Sequence, residues 1–280
     1  MAKNTVQGAE KRAFTKMFMN ICNWNNYWER WNDMLWMFAI GISNSIDYRY
    51  LKEREETYRH IAGKYSEAEM TKFAELFNAM VAEFERQPFQ DFLGSIYMEL
   101  EMGSDTHGQF FTPYNICFMC AQMSIEEDII REQIQKHGWI SVHDCASGAG
   151  ALLIAGAQRL YDLGINYQQN ALFVAQDLDS TVAMMCYIQL SLLGCAGYVR
   201  IGDTLSDPVV HDLLFGDGEA RTWYTPMYFS STWTGRLLCR KLDRMNGLKP
   251  KEAPAKRPEE KTKRREESKD DGRAIQLSLF

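Results

Sequence analysis

Three aspartates close three short apolar runs: Asp144 in "WISVHDCA" (139–146), Asp177 in "ALFVAQD" (171–177) and Asp203 in "YVRIGD" (198–203). Directly after Asp144 comes the small-residue turn "DCASGAG", 144–150. Gly148 and Gly150 let backbone approach a ligand closely at the start of a helix, where free N–H groups point outward. A carboxylate at the end of the second run can accept both hydroxyls of a ribose. A third, at the end of the next run, can accept from an exocyclic amine such as that of adenine. Together the turn and the carboxylates describe a nucleoside pocket. The glycine spacing is not G-x-G-x-x-G, so a dinucleotide is not the first choice.

Such a pocket needs the three runs to be neighbouring parallel strands with ligand groups at their carboxyl ends. The segments between them fit. "ALLIAGAQRLYDLG" (151–164) reads as a helix ended by Gly164, and Asp179 can cap a helix over 180–193 that Gly194 ends. Strand, helix, strand, helix, strand is one βαβαβ half of a doubly wound sheet. Upstream, residues 10–100 read as helices. Trp24, Trp28, Trp31 and Leu35 fall on one helical stripe, expected to face the core. Ser66 with Glu69 makes a capping box, opening a helix with Phe73, Phe77, Met80, Val81 and Phe84 inward and stopping before Pro88. Ser124 with Glu127 offers a second box, and His137-Gly138 a stop.

The order of short motifs resembles the N6-adenine DNA methyltransferases of the type I restriction-modification kind. "GQFFTP" (108–113) is similar to that family's G-[QE]-[FY]-[FY]-T-P, "DCASGAG" to its D-P-A-C-G-[ST]-G, "AQDLD" (175–179) to its G-Q-E-[IL]-D, and "GDTL" (202–205) to its third motif. The likeness covers about 90–205. It implies a Rossmann-like, S-adenosylmethionine-dependent α/β core acting in DNA methylation. By the same likeness Phe111, Thr112 and Pro113 pack around the cofactor. Asp144, Ala146, Ser147, Gly148 and Gly150 pass beneath its methionine part, Asp177 takes the ribose and Asp203 the adenine amine. Cys145, Ser147 and Ala149 depart from the family's Pro, Cys and Thr.

One family element is missing. The family carries [DNS]-P-P-[FYW], which accepts from the target amine and stacks on a base flipped from the duplex. None of the seven prolines here is adjacent to another, so the catalytic residues stay unknown. The nearest remnants are Asp207-Pro208 and "WYTPMYF" (223–229), where Thr225-Pro226 with Trp223 or Tyr224 offers a substitute loop. Two readings follow: methyl transfer completed by that loop or by a partner subunit, or an inactive member that serves as a cofactor- or partner-binding module. Only some 45 residues separate Asp203 from the charged tail, so the expected core is truncated.

From Lys249 to Arg273 the chain has no Val, Ile, Leu, Met or aromatic residue and mixes ten basic with seven acidic side chains. It cannot bury enough apolar area to order itself and reads as a linker. The chain then ends on Gln276-Leu277-Ser278-Leu279-Phe280, which resembles the Q-L-[SD]-L-F peptide that binds bacterial sliding clamps. The expected organisation is a helical region 1–105, a methyltransferase core 106–245, a linker 246–275 and a clamp-binding peptide 276–280.

Composition limits the rest. Hydrophobic residues make up 46% of the 280, enough for a sizeable core, and the formal net charge of −6 leaves an acidic body outside the tail. DNA contact is therefore expected through a local patch such as Lys263-Arg264-Arg265, with a specificity subunit as a further possible partner. The first fourteen residues lack an apolar stretch, and no run approaches a membrane span of roughly 20 residues, so a cytoplasmic protein without a membrane partner is expected. Seven cysteines inside apolar segments fit a reducing compartment. Cys117-x-x-Cys120 lacks companion ligands and reads as two buried helix cysteines, with no metal site.

Overall fold

The computed structural model describes residues 2–21, 26–100, 111–209, 212–246 and 276–278. Five helices come first: α1 (Ala2–Met19), α2 (Tyr27–Asn44), α3 (Leu51–Ala62), α4 (Glu67–Arg86) and α5 (Phe92–Glu99). Then follow α6 (Tyr114–Ser124), α7 (Glu127–His137), β1 (Ile140–Asp144), α8 (Ala151–Asp162), the single turn α9 (Tyr167–Asn170), β2 (Ala171–Asp177), α10 (Ser180–Leu192) and β3 (Ala196–Ile201). A short β4 (Thr222–Tyr224), a 3-10 turn (Pro226–Phe229), α11 (Ser231–Met245) and β5 (Gln276–Ser278) complete the chain. The sheet order is β4-β3-β2-β1-β5, parallel except for β4, which runs against β3. The fold is α/β: a small, mainly parallel, Rossmann-like sheet preceded by helices.

The central strands are apolar on both faces, as parallel strands covered on both sides must be. Phe173, Ala175 and Val199 join the large core formed with the helices, whereas Leu172, Val174, Ala196 and Tyr198 face a smaller cluster with Tyr224, Tyr228 and Trp233. Helix α10 explains why the N-terminal helices are needed. Every residue from Thr181 to Leu190 is buried, and a helix apolar all round must be enclosed. It packs on β2 and β3 and is covered by α2 and α5. The large core therefore runs without a break from Phe14 through Trp31 and Phe92 to the sheet. Arg30, fully buried, donates from Nη1 to the carbonyls of Phe18 and Met19 at 3.2 Å each, closing the end of α1.

The local signals hold in most places. Ser66 and Glu69 form a reciprocal capping box, and α4 ends at Arg86. Gly138, Gly164 and Gly194 follow helices with φ of +80, +69 and +74, and Asp179 Oδ1 accepts from Thr181 N–H at 2.7 Å. Trp31 and Leu35 are buried and Trp28 is half-buried, while Trp24 lies outside the described residues.

The second capping box does not form. Ser124 is the last residue of α6, Ile125 is buried in the link, and α7 starts from Glu126 with no side-chain cap. The buried Ile125 fixes the chain path and removes Ser124 from capping position. Cys117 is buried and its thiol donates to Thr112 O at 3.5 Å, whereas Cys120 is half-buried on the same helix.

The end of the chain also differs from a free peptide. Gln276–Ser278 pair in parallel with Ser141–His143 of β1. Residues 247–275, 279 and 280 lie outside the described residues. Each strand hydrogen bond contributes a net 0.5–1.5 kcal/mol at typical values, about the same as the roughly 1–2 kcal/mol per residue lost on ordering backbone. A three-residue strand is thus close to balance.

Candidate functional site

The carboxyl ends of β1, β2 and β3 are laced together by side chains of the strands themselves. Asp177 Oδ2 accepts from Gly148 N–H at 2.8 Å and Oδ1 from Asp179 N–H at 3.1 Å. Ser147 N–H donates to Gln176 O at 3.1 Å, so the turn after β1 is held against the end of β2. Gln176, fully buried, binds the loop after β3. Its Nε2 donates to Gly202 O at 3.3 Å and Asp207 O at 2.9 Å, and its Oε1 accepts from Val209 N–H at 3.2 Å. Thr204 Oγ1 donates to Cys145 O at 2.5 Å and closes the ring of loops.

The glycines in the turn are required by what surrounds them. Gly148 has φ +50 and an added Cβ would stand 3.3 Å from the Phe111 ring; Gly150 has φ +91 and its Cβ would lie 2.8 Å from Cys186 Sγ on α10. Alanine at 150 would suffer both a left-handed backbone and a clash with a fully buried neighbour. Gly150→Ala is expected to lower stability by about 2 kcal/mol in urea unfolding; a loss below the error of the melt would mean that α8 and α10 can part there freely.

Asp144 is buried. Its Oδ1 accepts from Ala146 N–H at 3.1 Å, and among the described residues its Oδ2 has no hydrogen-bond partner. Burial pushes its carboxyl above the ordinary range, and the nearby Asp177 adds to the shift. Asp177 is raised as well, chiefly by burial, against the hydrogen bonds from Asp179 and Gly148. His143, one residue before Asp144, is held below the usual histidine range by burial and is therefore neutral at pH 7. Ser147 Oγ lies against the buried Cys186 thiol.

Of the residues expected around the pocket, Asp144, Ser147, Gly148, Gly150 and Asp177 come together with Ala146 in one turn-and-strand-end unit. Phe111 joins them, packing on Gly148 and stacking on Tyr97 with ring centres 5.7 Å apart. Thr112 and Pro113 are exposed beside it, Pro113 starting α6. Asp203 stands apart at the rim. It is exposed, and both oxygens serve its own turn, accepting from Leu205 N–H at 2.9 Å and Ser206 Oγ at 3.0 Å, which holds its carboxyl below the usual range. Residues 108–110 of "GQFFTP" lie outside the described residues.

Two residues of this rim lie within the quoted motifs but were given no role there. Leu178 is 72% exposed directly after Asp177, and Leu205 is 95% exposed two residues after Asp203. Large apolar side chains that open at the ligand end of a sheet suit the faces of a flat ring. The signal in the sequence was a leucine close behind Asp177 and Asp203.

The substitute catalytic loop is overturned. Tyr224 pairs with Tyr198, and Thr225 Oγ1 donates to Cys195 O at 2.7 Å and accepts from Gly197 N–H at 3.0 Å. That is the amino end of β3, opposite to Asp203. Trp223 is buried against Trp36 and Tyr187. These aromatics are core, because β4 is antiparallel and carries them away from the ligand end. Asp207 is committed too, ion-paired with Arg200 at 2.9 Å and Arg221 at 2.6 Å.

The family model for N-6 DNA methylases matches residues 90–254, more than half of the chain. Among solved structures the chain is similar to the type I restriction-modification methyltransferase subunit of Streptococcus thermophilus, at 18% identity and TM-score 0.37, over 59% of this chain and 34% of that one. It is also similar to a Listeria monocytogenes protein assigned to the class I S-adenosylmethionine-dependent methyltransferases, at 16% identity and TM-score 0.39, over 68% of this chain and 58% of that one. The chain thus spans about a third and somewhat over half of the lengths of these two structures. No curated protein matches it. No helix among the described residues is long and apolar enough to cross a membrane, and no group of three or more His, Cys, Asp or Glu among them could hold a metal ion.

Proposed function

Because the chain belongs to the N-6 DNA methylase family, we propose that it binds S-adenosylmethionine at the carboxyl ends of β1 and β2 and serves adenine-N6 methylation of DNA. One observation carries the reading: Asp144 Oδ2 is buried with no hydrogen-bond partner among the described residues, beside a glycine turn that Asp177 holds open. A buried acceptor left empty costs free energy unless a ligand donor reaches it. The cofactor's ammonium group is such a donor. Asp177 has acceptor capacity left beyond its backbone donors for a ribose hydroxyl. Leu178 and Leu205 offer apolar contact to the adenine ring, and Phe111 shields the turn from solvent. Asp203 takes the adenine amine with its remaining lone pairs. When bound, S-adenosylmethionine supplies an electrophilic methyl group. The chain orients and desolvates it, and the acceptor for the target amine comes from a partner subunit.

A second reading has its own support. The sequence has no adjacent prolines, and both remnants of the missing motif are engaged, one in the core and one in ion pairs. The chain then binds cofactor and DNA-linked partners without transferring the methyl group.

Gln276–Phe280 we read as a peptide for a bacterial sliding clamp. Leu277, Leu279 and Phe280 are its apolar anchors, and residues 246–275 are the tether that raises local concentration at replicating DNA.

Calorimetric titration of S-adenosylmethionine into the full chain tests the pocket. Asp177→Ala is expected to weaken binding about 10- to 100-fold, roughly 1.4–2.8 kcal/mol, with its melting curve checked alongside. No heat with the unaltered chain would sink the cofactor reading. Labelled cofactor with adenine-containing DNA, with and without host extract, then separates the two readings: incorporation only when extract is present supports a partner-supplied acceptor, incorporation by the chain alone would place the acceptor within it, and binding without incorporation under either condition supports the second reading.

A further inference from the structure

Among the described residues β1 has a full partner on one side only. β2 pairs along Ile140–Asp144, whereas the outer edge meets just Gln276–Ser278, at Ser141, Val142 and His143. An uncovered strand edge presents a row of unpaired N–H and C=O groups that templates pairing with another strand. This edge belongs to the strand that ends on Asp144, so what covers it borders the ligand end of the sheet. Its occupant comes from the far end of the chain, across the 29 residues 247–275, which extend to at most about 100 Å. That length allows the segment to reach both the edge and a separate protein. The pairing is short, and its hydrogen bonds only about offset the cost of ordering three residues.

We propose that the outer edge of β1 is a strand-docking site occupied in alternation. Gln276–Ser278 fills it when the chain is alone and leaves it when a clamp takes the same residues, which uncovers the edge beside Asp144. This rests on the clamp reading above. The exclusion follows from backbone chemistry: the N–H and C=O groups of residues 276–278 that pair with β1 sit in the peptide that the clamp must hold, and a three-residue strand cannot be ordered in both places at once.

Hydrogen exchange read by mass spectrometry on the full chain tests this, following the amides of 140–144. In the unaltered chain they are expected to be protected. Leu277→Pro removes a strand N–H and is expected to speed exchange of the outward-facing amides by about twofold or more. An excess of purified bacterial sliding clamp should do the same to the unaltered chain. Leu279→Ala with Phe280→Ala changes residues beyond the paired three. That variant should keep its protection, lose clamp binding and stop responding to clamp. If Leu277→Pro exchanges like the parent, the docking edge is wrong. If clamp is captured while 140–144 stay protected, the alternation is wrong and the clamp reading stands. If clamp is not captured although Leu277→Pro exposes the edge, the clamp reading falls and takes the alternation with it.

Discussion

Gln189→Leu is expected to cost about 3–5 kcal/mol of stability, although the new side chain is apolar and the site is fully buried. Gln189 Nε2 donates to Asp91 Oδ1 at 3.0 Å and Ala149 O at 2.8 Å, and its Oε1 accepts from Leu93 N–H at 3.0 Å. One side chain on α10 thereby supplies a partner to the first turn of α5, to the carboxylate that caps α5, and to the turn before α8. Leucine would leave the Leu93 N–H and the Ala149 carbonyl without these partners and deprive the buried Asp91 of a donor. Each such loss costs about 1–3 kcal/mol. Urea unfolding at pH 7 measures the effect, and a loss under 1 kcal/mol would mean that water replaces the amide. The pH dependence adds a check. Burial raises the Asp91 carboxyl above its ordinary value of 3.8. The folded state then holds its proton to higher pH than the unfolded state. The contribution of Asp91 is therefore greatest in acid and declines as pH rises from 3.8 through the raised value. Gln189→Leu removes a donor that favours the ionised form, so its destabilisation should be larger at pH 7 than at pH 4.

The parts of this architecture that were legible in the sequence are those set by neighbours in the chain. β2 falls at 171–177 as its apolar run indicates, because Asn170 and Asp177 bound it. Gly138, Gly164 and Gly194 end helices because only a residue without Cβ takes their positive φ cheaply. β3 lies two residues earlier than its run suggests, at 196–201. Its small residues look like a turn, yet Gly197 is strand, because a Cβ there would overlap Phe173 O on β2. That requirement comes from a strand 24 positions away and leaves no local mark. The same holds for Trp223 and Tyr224. As a sequence they look like an aromatic loop beside a Thr-Pro; an antiparallel pairing with β3 makes them core. In the site, the glycine turn and strand-end aspartates were legible by type and spacing. Which oxygens remain free was not. Asp203 gives both of its own to a turn, while Asp144 keeps one without a partner among the described residues, and only the folded chain decides between them.

In the proposed cofactor pocket, that oxygen, without a partner among the described residues, sets the second large effect, on cofactor affinity as a function of pH. In the chain without ligand, burial holds the Asp144 and Asp177 carboxyls above 3.8, with the charge of Asp177 adding to the shift at Asp144 and that of Asp179 adding at Asp177. S-adenosylmethionine carries positive charge at its ammonium and sulfonium groups and favours both carboxylates ionised. Binding must therefore weaken as pH falls, starting at a higher pH than an ordinary aspartate would impose, and by about tenfold per pH unit for each proton that must be released. His143 does not oppose this trend at the upper end, since burial keeps it neutral. Asp144→Asn preserves the shape but removes one titration. It is expected to bind about 10- to 100-fold more weakly at pH 7.5, because the amide cannot offer a charge to the ammonium, and to show a shallower fall toward pH 4.5. Calorimetric titrations at four pH values for both proteins decide the matter. Parallel curves would show that the proton is taken up elsewhere and that Asp144 does not face the cofactor. A converging pair would place the Asp144 oxygen against the bound cation, and so identify the buried acceptor at the end of β1 as the group that makes this sheet selective for a charged nucleoside.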